Sequence, residues 1–413
     1  MKYILVIGDG MADHPLSELG DKTPLQYANI PVIDSLAAKG RAGTALTIPP
    51  GESAGSDTAF LTLFGCDPRV YNRGRAPLEA AATGIVVAPG SVAYRCNMVA
   101  FEDVDLPFAE KRILSHSGGD VEGDESLLLV EALFADANFS SMAEAAGLVV
   151  HPTPGFRHIA VQTGADLSGF VAYPPHDNLD EVIGPILPSG NATAEALRAL
   201  MERAHVVLDL HPVNQARREA GKLPANGVWF WAEGTATQLP QFVETFGHTG
   251  GVISAVPLCH GIAALTGLLP IRVEGATGKL HTNYEGKVEA AIRSLQENGD
   301  FVTIHIEAPD ECTHNGDLEG KLQAIEWIDS RVTANVLRRL EEVGITEYRI
   351  LLMSDHKTLM STRGHNGEPV PFLLYDSRKD QRSGQNYSEE SAAQGEYLPD
   401  GTKLLSLLFS DEC

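Results

Sequence analysis

The sequence predicts an α/β protein: a doubly wound, mostly parallel sheet core with an inserted, smaller α+β domain. Three observations carry this. The runs YILVIG, FVTIHIEA and YRILLMSD are nearly continuous in apolar or β-branched residues, as strands buried on both faces of a parallel sheet are. Each closes on or beside an acid, at the end where open α/β sheets gather their ligands. Helical patterns such as TPLQYANIPVIDSLAAKG and LEGKLQAIEWIDSRVTANVLRRLEEVG lie between them, and alternation of β and α marks this class.

The middle of the chain differs in texture. From 89 to 248, short strand candidates (SVAYRCNMVAF, LVVHPTPGFRHIAVQTG and HVVLDLHPV) mix with prolines and turns. This stretch is expected as the inserted domain, with 1–88 and 249–413 forming a discontinuous core. DSRKDQRSGQNYSEESAAQG, near 376–395, reads as a surface loop. Residues 252–271 carry no acid, lysine or arginine over about the length that spans a bilayer. Pro257, His260, Gly261, Gly267 and Pro270 interrupt them, so a buried strand, turn and helix is expected there.

Of the 413 residues, 43% are hydrophobic and 21% charged, and the formal charge is −24. That charge argues against a nucleic-acid or anionic-membrane partner. The five cysteines are scattered, odd in number and never spaced CxxC, which points to a reducing compartment without disulfides or a zinc knuckle. The N-terminal apolar run is too short for a signal peptide. A cytoplasmic protein is expected.

Two glycine motifs are decoys. In GDGMAD, Gly8 and Gly10 begin a dinucleotide fingerprint, but Asp13 occupies the third glycine position and, with Asp9, would repel a diphosphate. Gly51-Glu52-Ser53-Ala54-Gly55 fits G-x-S-x-G, yet Pro49 and Pro50 bar the strand that a nucleophile elbow requires. Ser56 follows at the start of an apolar helical run. It reads either as a helix N-cap or as a nucleophile favoured by the helix N-terminus and a bound cation.

Later residues bear on that choice. In IEAPDECTH, Asp310 and His314 are spaced i, i+4 just after a strand, so a helical turn puts both on one face. Asp355 and His356 end another strand, and His365 follows in a loop. With Asp9, three strand ends carry six residues of metal-ligand type. Mixed carboxylate and imidazole ligands suit Mn²⁺, Zn²⁺ or Mg²⁺ in a two-metal site for phosphoryl transfer, with Ser56 as a further oxygen ligand made nucleophilic by its metal.

With these residues in place, the chain resembles the archaeal-type cofactor-independent phosphoglycerate mutases of the alkaline phosphatase superfamily, nearly end to end. The resemblance runs through GDGMAD, KTPLQYANIPVIDSLAAKG, GSDTAFLTLFGCDP, RGRAPLEAAATGI, PHDN, HPVN, NGVWFWAEG, EGATGKLHTNYEGK, EAPDECTHNGDLEGK, SDH and HNGEPVPF. It implies an alkaline-phosphatase-type core and a small phosphorylated hydroxy-acid substrate. It implies two divalent metal ions and no organic cofactor: Asp9, Ser56, Asp355 and His356 would hold one ion, and Asp310, His314 and His365 the other. Ser56 would accept the phosphoryl group and return it to the other hydroxyl, under an inserted domain that closes over the substrate. The anionic substrate needs cations, for which Arg73, Arg75, Arg95, Arg157 and Arg217 are candidates.

Three positions depart from the family pattern. His260 stands where members often carry a lysine, Asp120 where a basic residue is expected, and Phe60 where a polar residue is common. Another phosphotransferase such as a homoserine kinase, or a phosphatase, is the alternative. A kinase would bind nucleotide without a phosphate loop, since GATGKL lacks the spacing and the hydroxyl.

Overall fold

Strands form where the apolar runs are. Lys2–Gly8, Phe301–Ile306 and Tyr348–Met353 are buried almost throughout, and the first pairs in parallel with both of the others. They are the centre of an eight-stranded sheet. Gly250–Ile253 and Leu269–Ile271 extend it on one side; Val370–Asp376, Arg41–Ala45 and Glu396–Leu398 extend it on the other. Only Val370–Asp376 runs against the rest. The computed structural model describes residues 1–379 and 383–411.

Helices cover the sheet with the apolar stripe that their sequences promise, with two breaks. TPLQYANIPVIDSLAAKG forms Pro24–Tyr27 and Pro31–Lys39 rather than one helix. A capping box of Thr23 and Gln26 starts the first, and Pro31 begins the second. Leu318–Trp327 and Ala334–Glu342 are joined by a π-helical segment, Ile328–Thr333. There Asp329 turns inward and accepts the Ile33 N–H at 2.7 Å.

Two compact units result. The larger contains Met1–Asn72, Ala81–Thr83 and the chain from Gln238 onward; the smaller contains Arg73–Ala80 and Gly84–Thr237. The limits differ from 89–248 for local reasons. Thr235 N–H donates to the Arg73 carbonyl at 3.1 Å, and Arg95 pairs with Glu79, tying residues 73–80 to the smaller unit. At the other limit Phe242 stacks on Phe301, centroids 5.0 Å apart, and keeps helix Phe242–Phe246 on the core sheet.

The smaller unit is a five-stranded antiparallel sheet built around Ser91–Phe101, covered by helices that include Gly123–Ala135 and Ala192–Asp209. HVVLDLHPV, expected as a strand, is instead the end of Ala192–Asp209 and the start of Pro212–Glu219. Leu197, Leu200, Met201, Ala204, His205 and Leu208 bury one helical face, and that period overrides the β-branched pair at 206–207.

Residues 252–271 form the expected strand end and helix, then a further edge strand. No helix among the described residues is long and apolar enough to cross a membrane. The stretch 376–395 is not all surface: Tyr387 is buried with its hydroxyl on the Pro371 carbonyl, and Glu389–Ala392 is helical. Residues 380–382 lie outside the described residues.

Candidate metal centre

Parallel register brings the candidate ligands to one edge. Gly8 lies opposite Ile306 and Ile7 opposite Met353, so the chain leaves the three central strands at one level. Asp9 follows the first strand, and Asp310 and His314 sit on helix Ala308–His314 after the second. Asp355 and His356 follow the third. His365 comes back on a hairpin, paired with Thr358. Asp9, Asp355 and His356 bring ligand atoms within 4.8 Å of one another, and so do Asp310, His356 and His365. His314 Nε2 lies 3.1 Å from Asp310 Oδ2 and 3.0 Å from His365 Nε2. His356 is therefore common to both groups.

These groups have the chemistry of a cation site. Asp9 Oδ1 and Asp355 Oδ2 are buried without a hydrogen-bond partner among the described residues, 3.4 and 3.3 Å from His356 Nε2. The other oxygen of each carboxylate is held. His305 Nε2–H donates to Asp9 Oδ2 at 3.0 Å, and the Gly10 and His356 N–H groups donate to Asp355 Oδ1 at 3.1 and 2.9 Å. A bare, buried carboxylate oxygen is costly unless a cation meets it. Burial, with the charges of Asp355 and Asp310, pushes Asp9 well above the ordinary carboxylate range. A divalent cation would remove that repulsion.

Asp310 behaves oppositely. Burial would raise it, but hydrogen bonds with His314 and His365 outweigh burial and hold it well below that range. The same contact raises His314 to about 9. His314 Nδ1 faces the Arg363 carbonyl at 2.8 Å, which points Nε2 at the cluster.

Glycine shapes this corner. Gly10 has φ +58°, and a Cβ on it would lie 2.3 Å from Thr358 Oγ1 and 2.8 Å from Asp310 Oδ1. The GDG turn is thus a close approach of backbone to the cluster. Asp13 is engaged elsewhere, accepting from the buried Lys321 ammonium at 2.8 Å. Lys321 also donates to the Thr358 carbonyl at 2.7 Å, and Thr358 Oγ1–H donates to Asp310 at 2.6 Å.

Ser56 is the first residue of helix Ser56–Leu63. Gly55 is its N-cap, without a side-chain capping bond, so the hydroxyl is not spent on capping. It lies 3.3 Å from His356 Nε2. Ser53 is exposed in irregular backbone with no strand entering it.

A family profile described as the metalloenzyme superfamily matches residues 1–403. The 2,3-bisphosphoglycerate-independent phosphoglycerate mutase of Methanosarcina acetivorans is 42% identical, with 95% of each chain covered. That of Methanothrix thermoacetophila is 41% identical over 99% of this chain and all of its own. This chain belongs to that mutase family. Among solved structures, a cofactor-independent phosphoglycerate mutase from Thermoplasma acidophilum superposes with a TM-score of 0.64 at 27% identity, covering 99% of each chain. A Pyrococcus horikoshii protein reaches 0.77 at 28% identity, covering 98% of this chain and 96% of its own.

In this mutase-family chain the candidate arginines all lie in the smaller unit, but they do not act alike. Arg95 is paired with Glu79 and lies over the Trp231 ring, 4.7 Å from its centroid. Arg157 lies 5.8 Å from that centroid, and its Nε is buried without a partner among the described residues. Burial and the guanidiniums of Arg95 and Arg75 outweigh the carboxylate of Glu79 and push Arg157 below its ordinary value. His176 packs edge-on against Trp231 at 5.2 Å and near His116 at 6.0 Å. These histidines were missed as candidates, although PHDN contains one. Arg73 is exposed, with its carbonyl held by Thr235.

Arg217 departs from expectation. It is buried and donates to the Gly118, Gly119 and Leu223 carbonyls and to Glu125. Gly118, Gly119 and Asp120 are successive left-handed residues (φ 59°, 64° and 56°), and Arg217 is the strut that holds their turn. Asp120 accepts from Ser117 Oγ at 2.7 Å within it. His260 is buried on helix Pro257–Thr266, with Nε2 3.2 Å from the Ile271 carbonyl. Burial, aided by Arg272, lowers its pKa, so it is a neutral donor rather than a substitute for lysine.

Proposed function

We propose that this chain interconverts 3-phosphoglycerate and 2-phosphoglycerate without a bisphosphorylated primer, carrying the phosphoryl group on Ser56 in between. The observation that supports this most is the Ser56 hydroxyl, free of capping and 3.3 Å from the imidazole common to both ligand groups. Asp9, Ser56, Asp355 and His356 would hold one divalent cation, and Asp310, His314 and His365 the other; Mn²⁺, Zn²⁺ and Mg²⁺ all suit such donors. Bound there, the ions would shield the phosphoryl oxygens and favour the ionised serine hydroxyl.

Ser56 gives up its proton as Oγ attacks phosphorus in line; the Oγ–P bond forms as the bond to the glycerate oxygen breaks, and that oxygen takes up a proton. The other glycerate hydroxyl then attacks the phosphoserine and gives up its proton, and Ser56 regains its hydroxyl. Nothing else is consumed. The N-terminus of helix Ser56–Leu63 favours the alkoxide and the phosphate that Ser56 carries in between. Arg75, Arg95 and Arg157 supply the smaller unit's positive charge for the substrate's carboxylate and phosphate. A cytoplasmic setting fits the buried free thiols of Cys66, Cys96, Cys259 and Cys312.

The test offers the purified chain 3-phosphoglycerate with Mn²⁺ and, separately, homoserine with ATP. Isomerisation without primer is expected. Homoserine-dependent ADP release, or free phosphate alone, would overturn the mutase reading.

The arginines separate by assay. Arg157→Ala is expected to raise KM for 3-phosphoglycerate about 10- to 100-fold with the unfolding midpoint unchanged, the size of a lost charge-assisted hydrogen bond. Arg217→Ala strands buried carbonyls and is expected to cost about 2–4 kcal/mol in urea unfolding, with KM unchanged. The opposite pattern would exchange their roles.

A further inference from the structure

His305 stands in the middle of an apolar strand, wholly buried, where an imidazole needs partners on both nitrogens. It has them. Nε2–H donates to Asp9 Oδ2 at 3.0 Å, and Nδ1 lies 3.0 Å from Ser254 Oγ. Ser254 Oγ–H donates to Glu307 Oε1 at 3.0 Å, and that oxygen also accepts the Ala255 N–H at 2.6 Å. Lys287, itself wholly buried, pairs with Glu307 and donates to the His305 carbonyl at 2.8 Å. The ring face is closed by Phe60, edge-on with centroids 4.7 Å apart. Phe60 lies one helical turn beyond Ser56 on the same helix.

We infer that His305 is a positioning residue for Asp9, fixed by a buried chain through Ser254, Glu307 and Lys287. A carboxylate on a glycine-flanked turn has two equivalent oxygens and a free χ2 rotation. The imidazole claims Oδ2, which leaves Oδ1 bare and turned toward His356 and Asp355. Lys287 and Glu307 compensate each other's buried charge, so the chain is rigid without leaving an unpaired ion behind it. Phe60 adds a mechanical link: the helix that presents Ser56 also packs the ring that presents Asp9. This gives Phe60, a departure from the polar residue common in the family, a role in the larger unit.

The inference rests on reading Asp9 as a metal ligand, so its test reads metal affinity rather than turnover. The full-length apo chain is titrated with Mn²⁺ in competition with a chelating dye. For His305→Leu, one of two equivalents is expected to bind about 10- to 100-fold more weakly, the usual effect of losing a partner behind a ligand, with the other unchanged. His305→Gln, which keeps an N–H directed at Asp9, is expected to recover part of the loss. Ser254→Ala removes the nearest partner of Nδ1, leaving it Glu307 Oε1 at 3.4 Å and Cys259 Sγ at 3.8 Å, and should weaken the same equivalent by less. That variant carries the test if His305→Leu does not fold. Wild-type affinity in both Leu and Ala variants would overturn the inference, as would a Gln variant no better than Leu, which would assign the ring to packing alone. A wild-type chain binding no Mn²⁺ would overturn the ligand reading itself, and the inference with it.

Discussion

Ser56→Ala is expected to lower isomerisation of 3-phosphoglycerate by about 10⁴-fold or more, the scale of losing a covalent nucleophile, while the chain keeps its fold. The fold survives because Gly55 caps the helix and the Ser56 side chain makes no capping bond. Alanine at the first helical position costs little there, and thermal unfolding should shift by no more than about a degree or two. Ser53→Ala is the paired control. Ser53 is exposed in irregular backbone that no strand enters, so its replacement should leave turnover near the wild-type level. Mass spectrometry of the chain quenched during turnover should show one added phosphoryl group on the peptide that holds Ser56, absent in the variant. An inactive Ser53→Ala beside an active Ser56→Ala would instead restore the nucleophile-elbow reading.

The residues that reveal this site are legible for a physical reason. A buried parallel strand has no use for charge, so an acid or histidine at its end stands out from an apolar run, as Asp9, Asp310, Asp355 and His356 do. What the sequence hides is what depends on packing between distant segments. His305 lies inside such a run and looks like part of it; only its pairing with Ser254 and Asp9 shows that it is polar machinery. Arg217 and Arg157 are the same residue type in comparable settings, yet one is satisfied by carbonyls and the other is not. The π-helical break at Ile328–Thr333 depends on Asp329 meeting the backbone of a helix some 300 residues away. HVVLDL illustrates the opposite failure: a β-branched run took precedence over a helical period that burial obeys.

Sharing of His356 between the two groups makes metal content a sharper test than activity. Asp310→Asn keeps the shape of the side chain but removes the charge that His314 and His365 face. One equivalent per chain is expected to disappear by elemental analysis, with turnover reduced by at least about 10³-fold, since each ion would shield part of the transferring group. The group it leaves, Asp9 with Asp355 and His356, is buried and held by its own donors, His305, Gly10 and the His356 backbone, so the second equivalent stays. His314→Ala should act in the same direction. His356→Ala differs, because His356 offers a ligand atom to both groups; it is expected to weaken both equivalents. Exposure orders their release. The side chains of His314 and His365 are 37% and 28% exposed, whereas Asp355 and His356 are at 0%. A chelator should therefore strip the Asp310 group first, in a fast phase that Asp310→Asn abolishes, and the buried group more slowly. Two equivalents still bound in Asp310→Asn, or a single release phase common to wild type and variant, would sink this division of ligands.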